Sequence, residues 1–217
     1  SETTEGVHIH IIDAELMGKG EKEKKDLYIE GVQNNGIINH YEYIINSEGT
    51  IEIRHVLKPE GKMPLWFPRI GLTLTVSDAL DQVKWYGRGP QENYPDRKTG
   101  YPMGIYASTV QAMYEPYLMP QDYGLRTDVR WLQLTTDKGI GLQFKMNEWF
   151  NFNIYPYSTD NLTKAMYTYQ LQKQKGMTLN LDYATTGVGC TARGVFGAYK
   201  AMPQEYRRTI SIRPMMK

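Results

Sequence analysis

The sequence predicts an all-β fold: a large antiparallel supersandwich with at most one or two short helices. Three observations carry that expectation. Apolar and polar residues alternate with period two from end to end, and short turn signals separate the alternating runs. The composition also leans to strand formers, with 17 Tyr, 5 Phe and 4 Trp among 217 residues. No composition break, low-complexity tract or fixed-length repeat interrupts the pattern, so residues 1–217 read as one domain.

The elements follow in order. "LYIEGVQNNGIINHY" carries a turn signal at Asn35-Gly36. "YEYIINSEGTIEIRHVL" is a hairpin that turns at Ser47-Glu48-Gly49, after which Ile51 and Ile53 alternate with Glu52 and Arg54. "RIGLTLTVSDALDQVKWYG" alternates at Ile70, Leu72, Leu74 and Val76, breaks, and resumes as a strand through Val83 and Trp85. "WLQLTTDKGIGLQFKM" is a second hairpin, turning at Asp137-Lys138-Gly139, and "YRRTISIRP" closes the chain with Ile210 and Ile212 on one face. Helical spacing is scarce. The best run is "STDNLTKAMYTYQLQKQ", where Ser158 or Thr159 caps a helix through Leu162, Ala165, Met166 and Tyr169.

Composition narrows the function classes. Apolar residues at 41% suffice for a sizeable core, and 25 basic against 24 acidic residues give no electrostatic reason to expect nucleic acid or an anionic membrane as partner. No apolar run approaches the ~20 residues of a membrane-spanning helix. The single cysteine, Cys190, excludes an internal disulfide framework and is expected as a small buried apolar residue. The start "SETTEG" lacks Met and a signal peptide and reads as the interior of a longer protein or as a trimmed chain, so cytoplasm and periplasm are not distinguished.

The stretch "WYGRGPQENYPDRKTGYP", Trp85 to Pro102, is too rich in rings to be a linker. Trp85, Tyr86, Tyr94 and Tyr101 supply packing groups while the prolines remove backbone freedom, so it reads as a loop built to hold one shape. Metal and nucleophile chemistry find little support. His8 and His10 share a strand face without a His-rich partner segment, and no G-x-S-x-G elbow, P-loop or dinucleotide fingerprint occurs. Carboxylates are more numerous. Glu92, Asp96, Glu115, Asp122 and Asp128 lie near Arg88, Arg97, Arg126 and Arg130. A glycosidase pair needs separations of ~5 Å or ~6.5–9.5 Å, which sequence spacing does not define. The favoured reading is a network of ion pairs and hydrogen bonds that holds long loops in shape.

"GRGPQENYPDRKTG" resembles the G-x-GPQENYPDR motif of the C-terminal small-chain domain of glycoside hydrolase family 2 β-galactosidases. "YEPYLMPQDYGLRTDVRWLQL", "LNLDYATTGVG", "FPRIGLTLTV" and the hairpin of 41–57 match the same family in the same order, over nearly the whole chain. The resemblance implies a galactose-mutarotase-like supersandwich that is not itself catalytic. It places the acid/base and nucleophile glutamates on a (β/α)8 barrel of the same polypeptide, with no catalytic residue and no cofactor or metal in this chain. Intact family members use Mg or Na bound mainly by other domains. It further implies a β-galactoside as ligand of the whole enzyme and a homo-oligomeric parent. Glu92, Asn93, Asp96, Arg97, Asp122 and Arg126 are then expected to shape the loops at the barrel-facing rim. In the family a Trp after the Gly-(Ile/Val)-Gly reaches the sugar. Here "GVGCTARGVFGAY" has none, which leaves Phe196 as the nearest aromatic and Arg193 as the nearest polar substitute, with an ordinary core role for Phe196 the competing reading. Two other functions stay open: an autonomous carbohydrate-binding module, if Trp149 and Tyr155 line an open groove, and an aldose mutarotase, which needs a His acid and a carboxylate base converging on the sugar.

Overall fold

The computed structural model describes residues 2–3, 6–16, 36–190 and 194–216, with the backbone alone over 2–16. Eleven strands follow the alternation: β1 Glu2–Thr3, β2 Gly6–Leu16, β3 Gly36–Ile45, β4 Ile51–Glu60, β5 Arg69–Val76, β6 Gln82–Arg88, β7 Met103–Thr109, β8 Arg126–Thr135, β9 Gly141–Tyr155, β10 Met177–Thr185 and β11 Tyr206–Met215. Every pairing is antiparallel, in the order β1-β2-β3-β4-β11-β9-β8-β6-β7, with β10 between β5 and β9. The two layers expected of a sandwich are thus joined through β9. Its first half, Gly141–Met146, pairs with β11, and its second half, Asn151–Tyr155, pairs with β10. β8 pairs with it on the other side from Gly141 to Phe152, with two breaks in register.

The turns form for local reasons. At the β3–β4 hairpin Asn46 Oδ1 accepts from the backbone N–H of Glu48 and Thr50 at 3.0 and 2.9 Å, and Gly49 takes the left-handed conformation, φ 77°. Asn46 is therefore part of the turn chemistry, one position before the expected Ser47. His8 and His10 fall on β2. Asn35 lies outside the described residues, and Gly36 opens β3.

The helix is shorter than its periodicity suggests. α1 spans Thr159–Lys164, with Ser158 Oγ accepting from Asn161 N at 3.1 Å. It stops at Ala165 because side chains downstream capture the backbone. Gln170 Oε1 accepts from Met166 and Tyr167 N–H at 2.7 and 3.0 Å, and Asn161 Oδ1 accepts from Gln172 N at 2.8 Å. Met166 and Tyr169 consequently stand exposed rather than on a buried helical face.

The core is built from the inward residues of β4–β6 and β8–β11, with Trp85, Leu132, Phe144, Phe152, Leu179 and Ile210 at its centre. One histidine is interior to it. His55 on β4 is buried and stacked on Tyr41 at 4.2 Å. Its Nδ1 meets the Tyr183 hydroxyl at 2.7 Å and its Nε2 meets Asn39 Oδ1 at 3.0 Å. Asn39 Oδ1 can only accept, so Nε2 carries the proton and Nδ1 accepts from Tyr183. Burial pulls the His55 pKa from 6.5 down to about 4. The unfolded chain takes up a proton that the folded one resists. This stability is therefore full above pH 6.5 and is lost as pH falls toward 4. At 1.36 kcal/mol per pH unit the loss is about 3 kcal/mol. Urea unfolding of the wild type and His55→Gln should show their difference in stability shrinking by about that amount between pH 7 and pH 4; a constant difference would contradict a neutral buried His55.

Candidate functional site

The central strands carry a polar stripe where an apolar one is usual. On β10, Thr178, Asn180 and Asp182 alternate with apolar residues and are all buried. On the adjacent β9, Asn153 sits opposite Asn180 and Asn151 opposite Asp182. Buried amides and carboxylates need partners, and they find them within the stripe and in the segments above it. Asn180 Nδ2 donates to Asn153 Oδ1 at 2.8 Å, and Thr73 Oγ1 of β5 donates to Asn180 Oδ1 at 2.7 Å. Asn153 Nδ2 donates to Asp122 Oδ1 and Tyr123 O at 2.9 and 3.0 Å. Arg69, at the start of β5, donates twice to Asp182 Oδ2, at 2.8 and 3.2 Å, and reaches Asn153 Oδ1 at 3.2 Å and Asp122 Oδ1 at 3.4 Å. Burial pushes the Asp182 carboxyl up to about 6 against the pull of Arg69. Burial also disfavours the Arg69 cation, but Asp182 and Asp122 outweigh it and hold its pKa above the ordinary value.

The loop from Gly89 to Pro102, between β6 and β7, lies over this face and is fastened at several points. Glu92 is buried; its carboxylate accepts from Gly124 N at 2.9 Å, from the Tyr94 hydroxyl at 3.2 Å and from the Tyr117 hydroxyl, with Arg97 at 3.7 Å. Burial and the Glu92 charge push the Tyr94 phenol up, and burial takes Tyr117 to about 12. Asn93 is buried; its N–H donates to Leu125 O at 2.8 Å, and its Oδ1 accepts from Thr127 N and Oγ1 at 3.0 and 2.5 Å. Asp96 clasps a different segment, accepting from the backbone N–H of Val188 and Gly189 at 3.0 and 2.7 Å. Arg97 stacks its guanidinium 5.6 Å from the Tyr94 ring centre.

The six residues expected to shape the loops therefore fall into four groups. Glu92, Asn93 and Arg97 knit the loop to itself and to residues 117–127. Asp96 knits it to residues 188–189. Asp122 belongs with Arg69 and Asn153. Arg126 is buried against the Trp85 ring at 5.4 Å and donates to Gly124 O at 2.9 Å; burial lowers its pKa to about 10. Of the four arginines near the carboxylates in sequence, Arg88 and Arg97 make ion pairs with Asp128 and Glu92, while Arg126 and Arg130 lie over aromatic rings. Arg193 lies outside the described residues. Phe196 is 67% exposed, which overturns the core reading of that residue; it precedes a single 3-10 turn, Gly197–Tyr199, rather than an inward strand position. Cys190 is likewise exposed. Tyr155 is fully buried and Trp149 is 56% exposed.

Sequence reasoning missed Arg69, Asp182, Asn153 and Asn180. The available signal was the alternation of "NFN" with "LNLD": polar residues at the period of a strand whose other residues are all core formers. The carboxylates of Glu92, Asp96, Asp122 and Asp182 are all engaged by donors of the same fold, which suits them to hold shape.

Comparison with known proteins places this chain. A family model described as the β-galactosidase small chain matches residues 5–212. A β-galactosidase from Priestia megaterium is 38% identical over 147 residues, 68% of this chain and 14% of that protein. A β-galactosidase from Vibrio cholerae is 39% identical over 122 residues, 56% of this chain and 11% of that protein. The match thus spans only 11–14% of the length of these relatives. Among solved structures, a GalM/aldose epimerase homologue from C. elegans is similar with a TM-score of 0.47 at 12% identity, over 96% of this chain and 65% of that one.

The Asp96 clasp leads to a coupled pair of substitutions. A Cβ added to Gly187 would sit 2.3 Å from Asp96 Cγ. Asp96→Ala should cost about 1–3 kcal/mol through the two N–H groups left unpaired. Gly187→Ala should cost a similar amount by expelling the carboxylate. Because the second clash vanishes once the carboxylate is gone, the double variant should lose at least ~1 kcal/mol less than the sum. Strict additivity in denaturant unfolding would show that the clasp does not hold these segments together.

Proposed function

This chain belongs to the β-galactosidase small-chain family, and on that premise we propose that residues 1–217 form one non-catalytic unit of a β-galactosidase. It packs against the catalytic (β/α)8 barrel and supplies part of the rim around the sugar. The observation that carries this reading is an apolar surface beside the motif loop. Leu65 (84% exposed), Trp66, Val188, Phe196, Tyr199 and Met202 all show large apolar side chains to solvent. They stand on segments joined by backbone hydrogen bonds. Phe67 N donates to Ala201 O at 2.9 Å, Thr186 N to Pro68 O at 2.9 Å and Gly187 N to Tyr199 O at 2.8 Å. The Asp96 clasp ties the same segments to the GPQENYPDR loop. Exposed apolar side chains grouped in this way mark a docking surface, and the fastened loop gives it a fixed outline.

Phe196 is the group assigned to the sugar side of this rim, with Arg193 beside it in sequence. The carboxylates are assigned to shape, and the hydrolysis of terminal β-D-galactosides to the parent enzyme.

The test is assembly. The 217-residue chain and the remaining parent polypeptide, produced separately, should each fail to hydrolyse a chromogenic galactoside and should regain hydrolysis when mixed. Leu65→Asp with Met202→Asp should weaken that assembly by at least ~10-fold, about 1.4 kcal/mol, without moving the melting temperature of this chain. Phe196→Ala should raise KM by more than it weakens assembly. Hydrolysis by this chain alone, or assembly indifferent to both aspartates, would overturn the proposal.

A further inference from the structure

A second feature lies where β9 changes partners. A cavity of about 210 Å³ opens there, bordered by Pro95, Lys98, Asp128, Trp149, Asn151 and Tyr199. Three irregularities of the sheet meet at its walls. On β8, Thr127 and Asp128 stand opposite Asn151 alone, because Arg126 pairs with Phe152 and Val129 with Phe150. On β9, residues 146–149 stand opposite Arg130 alone, because Val129 pairs with Phe150 and Trp131 with Lys145. On β10, Tyr183 is the extra residue between the pairings Asp182–Gly71 and Ala184–Ile70. Bulges re-aim side chains and gather next to binding sites. Asp128 is also the one non-glycine with positive φ, 55°, among the described residues.

The side chains these bulges present have mixed chemistry. Asp128 is held by Arg88 at 2.5 Å and by Lys98 at 2.9 and 3.0 Å, and its N–H donates to Asn151 Oδ1 at 3.3 Å. Asn151 Nδ2 donates to Thr185 Oγ1 at 3.1 Å, which leaves its second hydrogen for a ligand. The Asp128 carboxylate retains acceptor capacity beyond these three contacts. Trp149 is exposed, with Arg130 stacked on it at 4.4 Å, and Tyr199 stands partly exposed across the cavity.

The cations nearby are already engaged. Lys98 and Arg88 face Asp128, Arg130 lies over Trp149 and Tyr86, and Lys200 lies 5.6 Å from the Trp66 ring centre. An anion would find few free positive charges. A neutral ring with hydroxyls around its edge and an apolar face fits all of these groups: the face toward an aromatic ring, the hydroxyls toward Asp128, Asn151 and Lys98. The volume lies below the ~300 Å³ at which sites for larger ligands begin, so one sugar ring is the limit.

We infer that this cavity, which shares Tyr199 with the apolar surface but is not lined by Phe196, is a monosaccharide subsite in which Trp149 stacks on a pyranose and Asp128, Asn151 and Lys98 bind its hydroxyls. The choice of galactose as the first sugar rests on the proposed function; the geometry requires only a neutral pyranose.

The test is calorimetric and NMR titration of the 217-residue chain with galactose, glucose and sodium sulfate, followed by crystals soaked in the sugar that binds. Saturable binding at millimolar sugar is expected, with the ring between Trp149 and Asn151. Trp149→Ala should weaken it at least ~10-fold and Trp149→Phe should restore most of it, with melting temperatures unchanged for this exposed position. Lack of saturation by ~100 mM sugar, binding indifferent to Trp149→Ala, or binding of sulfate alone would overturn the inference. Assembly with the remaining parent polypeptide reads the proposed function independently, so either idea can fail without the other.

Discussion

A carboxylate buried in the middle of a sheet is the constraint from which the rest of this structure follows. Asp182 sits on β10 with almost no exposure, flanked by Asn180 on its own strand and by Asn151 and Asn153 on β9. Buried polar groups left alone cost about 1–3 kcal/mol each, and charged ones more. An apolar layer therefore cannot cover this face. It requires a roof with its own donors and acceptors, and Arg69, Asp122 and the Tyr123 carbonyl provide it. A roof that polar is built from irregular backbone, which brings a further need for hydrogen bonds. Glu92 and Asn93 meet part of that need by capturing the N–H groups of Gly124 and Thr127. The long motif loop and the 114–127 segment are thus two consequences of one polar stripe.

The same logic explains how tightly the elements approach. β5 can lie against β10 at Asp182 only because Gly71 has no side chain: a Cβ there would fall 2.3 Å from Leu181 O. The missing side chain opens the space in which Arg69 comes round to Asp182. At the other end of the roof, Gly187 leaves room for the Asp96 carboxylate. Backbone proximity and charge placement are therefore one design at these positions, and a change in either disturbs both.

Much of the fold was legible in the sequence, because period-two alternation with short turns leaves few alternatives to antiparallel strands. β4, β5, β6 and β11 follow the quoted alternation, and the Gly49 and Gly139 turns fall where expected. What escaped was non-local. The Arg69–Asp182 pair joins residues 113 positions apart, and nothing in the neighbourhood of either announces the other. The partner change of β9 is equally invisible, since alternation describes the faces of a strand and not which strands flank it. The helix was over-extended because i, i+4 spacing does not register competition from Gln170 and Asn161 side chains for the same backbone groups. The site residues divide along the same line. The motif loop showed itself by composition, whereas the sequence named Trp149 and Tyr155 together and only the strand pairing separates them, Trp149 exposed at a bulge and Tyr155 buried.

In the proposed assembly, the fastening of the loop would also set how this surface meets the barrel. Arg88 donates across the mouth of the loop to the carbonyls of Lys98 and Tyr101, at 3.1 and 2.9 Å, so the segment is closed before anything docks. Ordering a flexible loop on binding would cost on the order of 1 kcal/mol per residue, and a prefolded rim avoids most of that. Long-range attraction contributes little, because the rim arginines and lysines are paired with carboxylates or laid over rings and the whole chain carries a net charge of +1. Recognition in the proposed assembly would then rest on shape and on apolar contact at short range. A surface of that kind discriminates by fit, which suits the proposed unit working against one fixed neighbour.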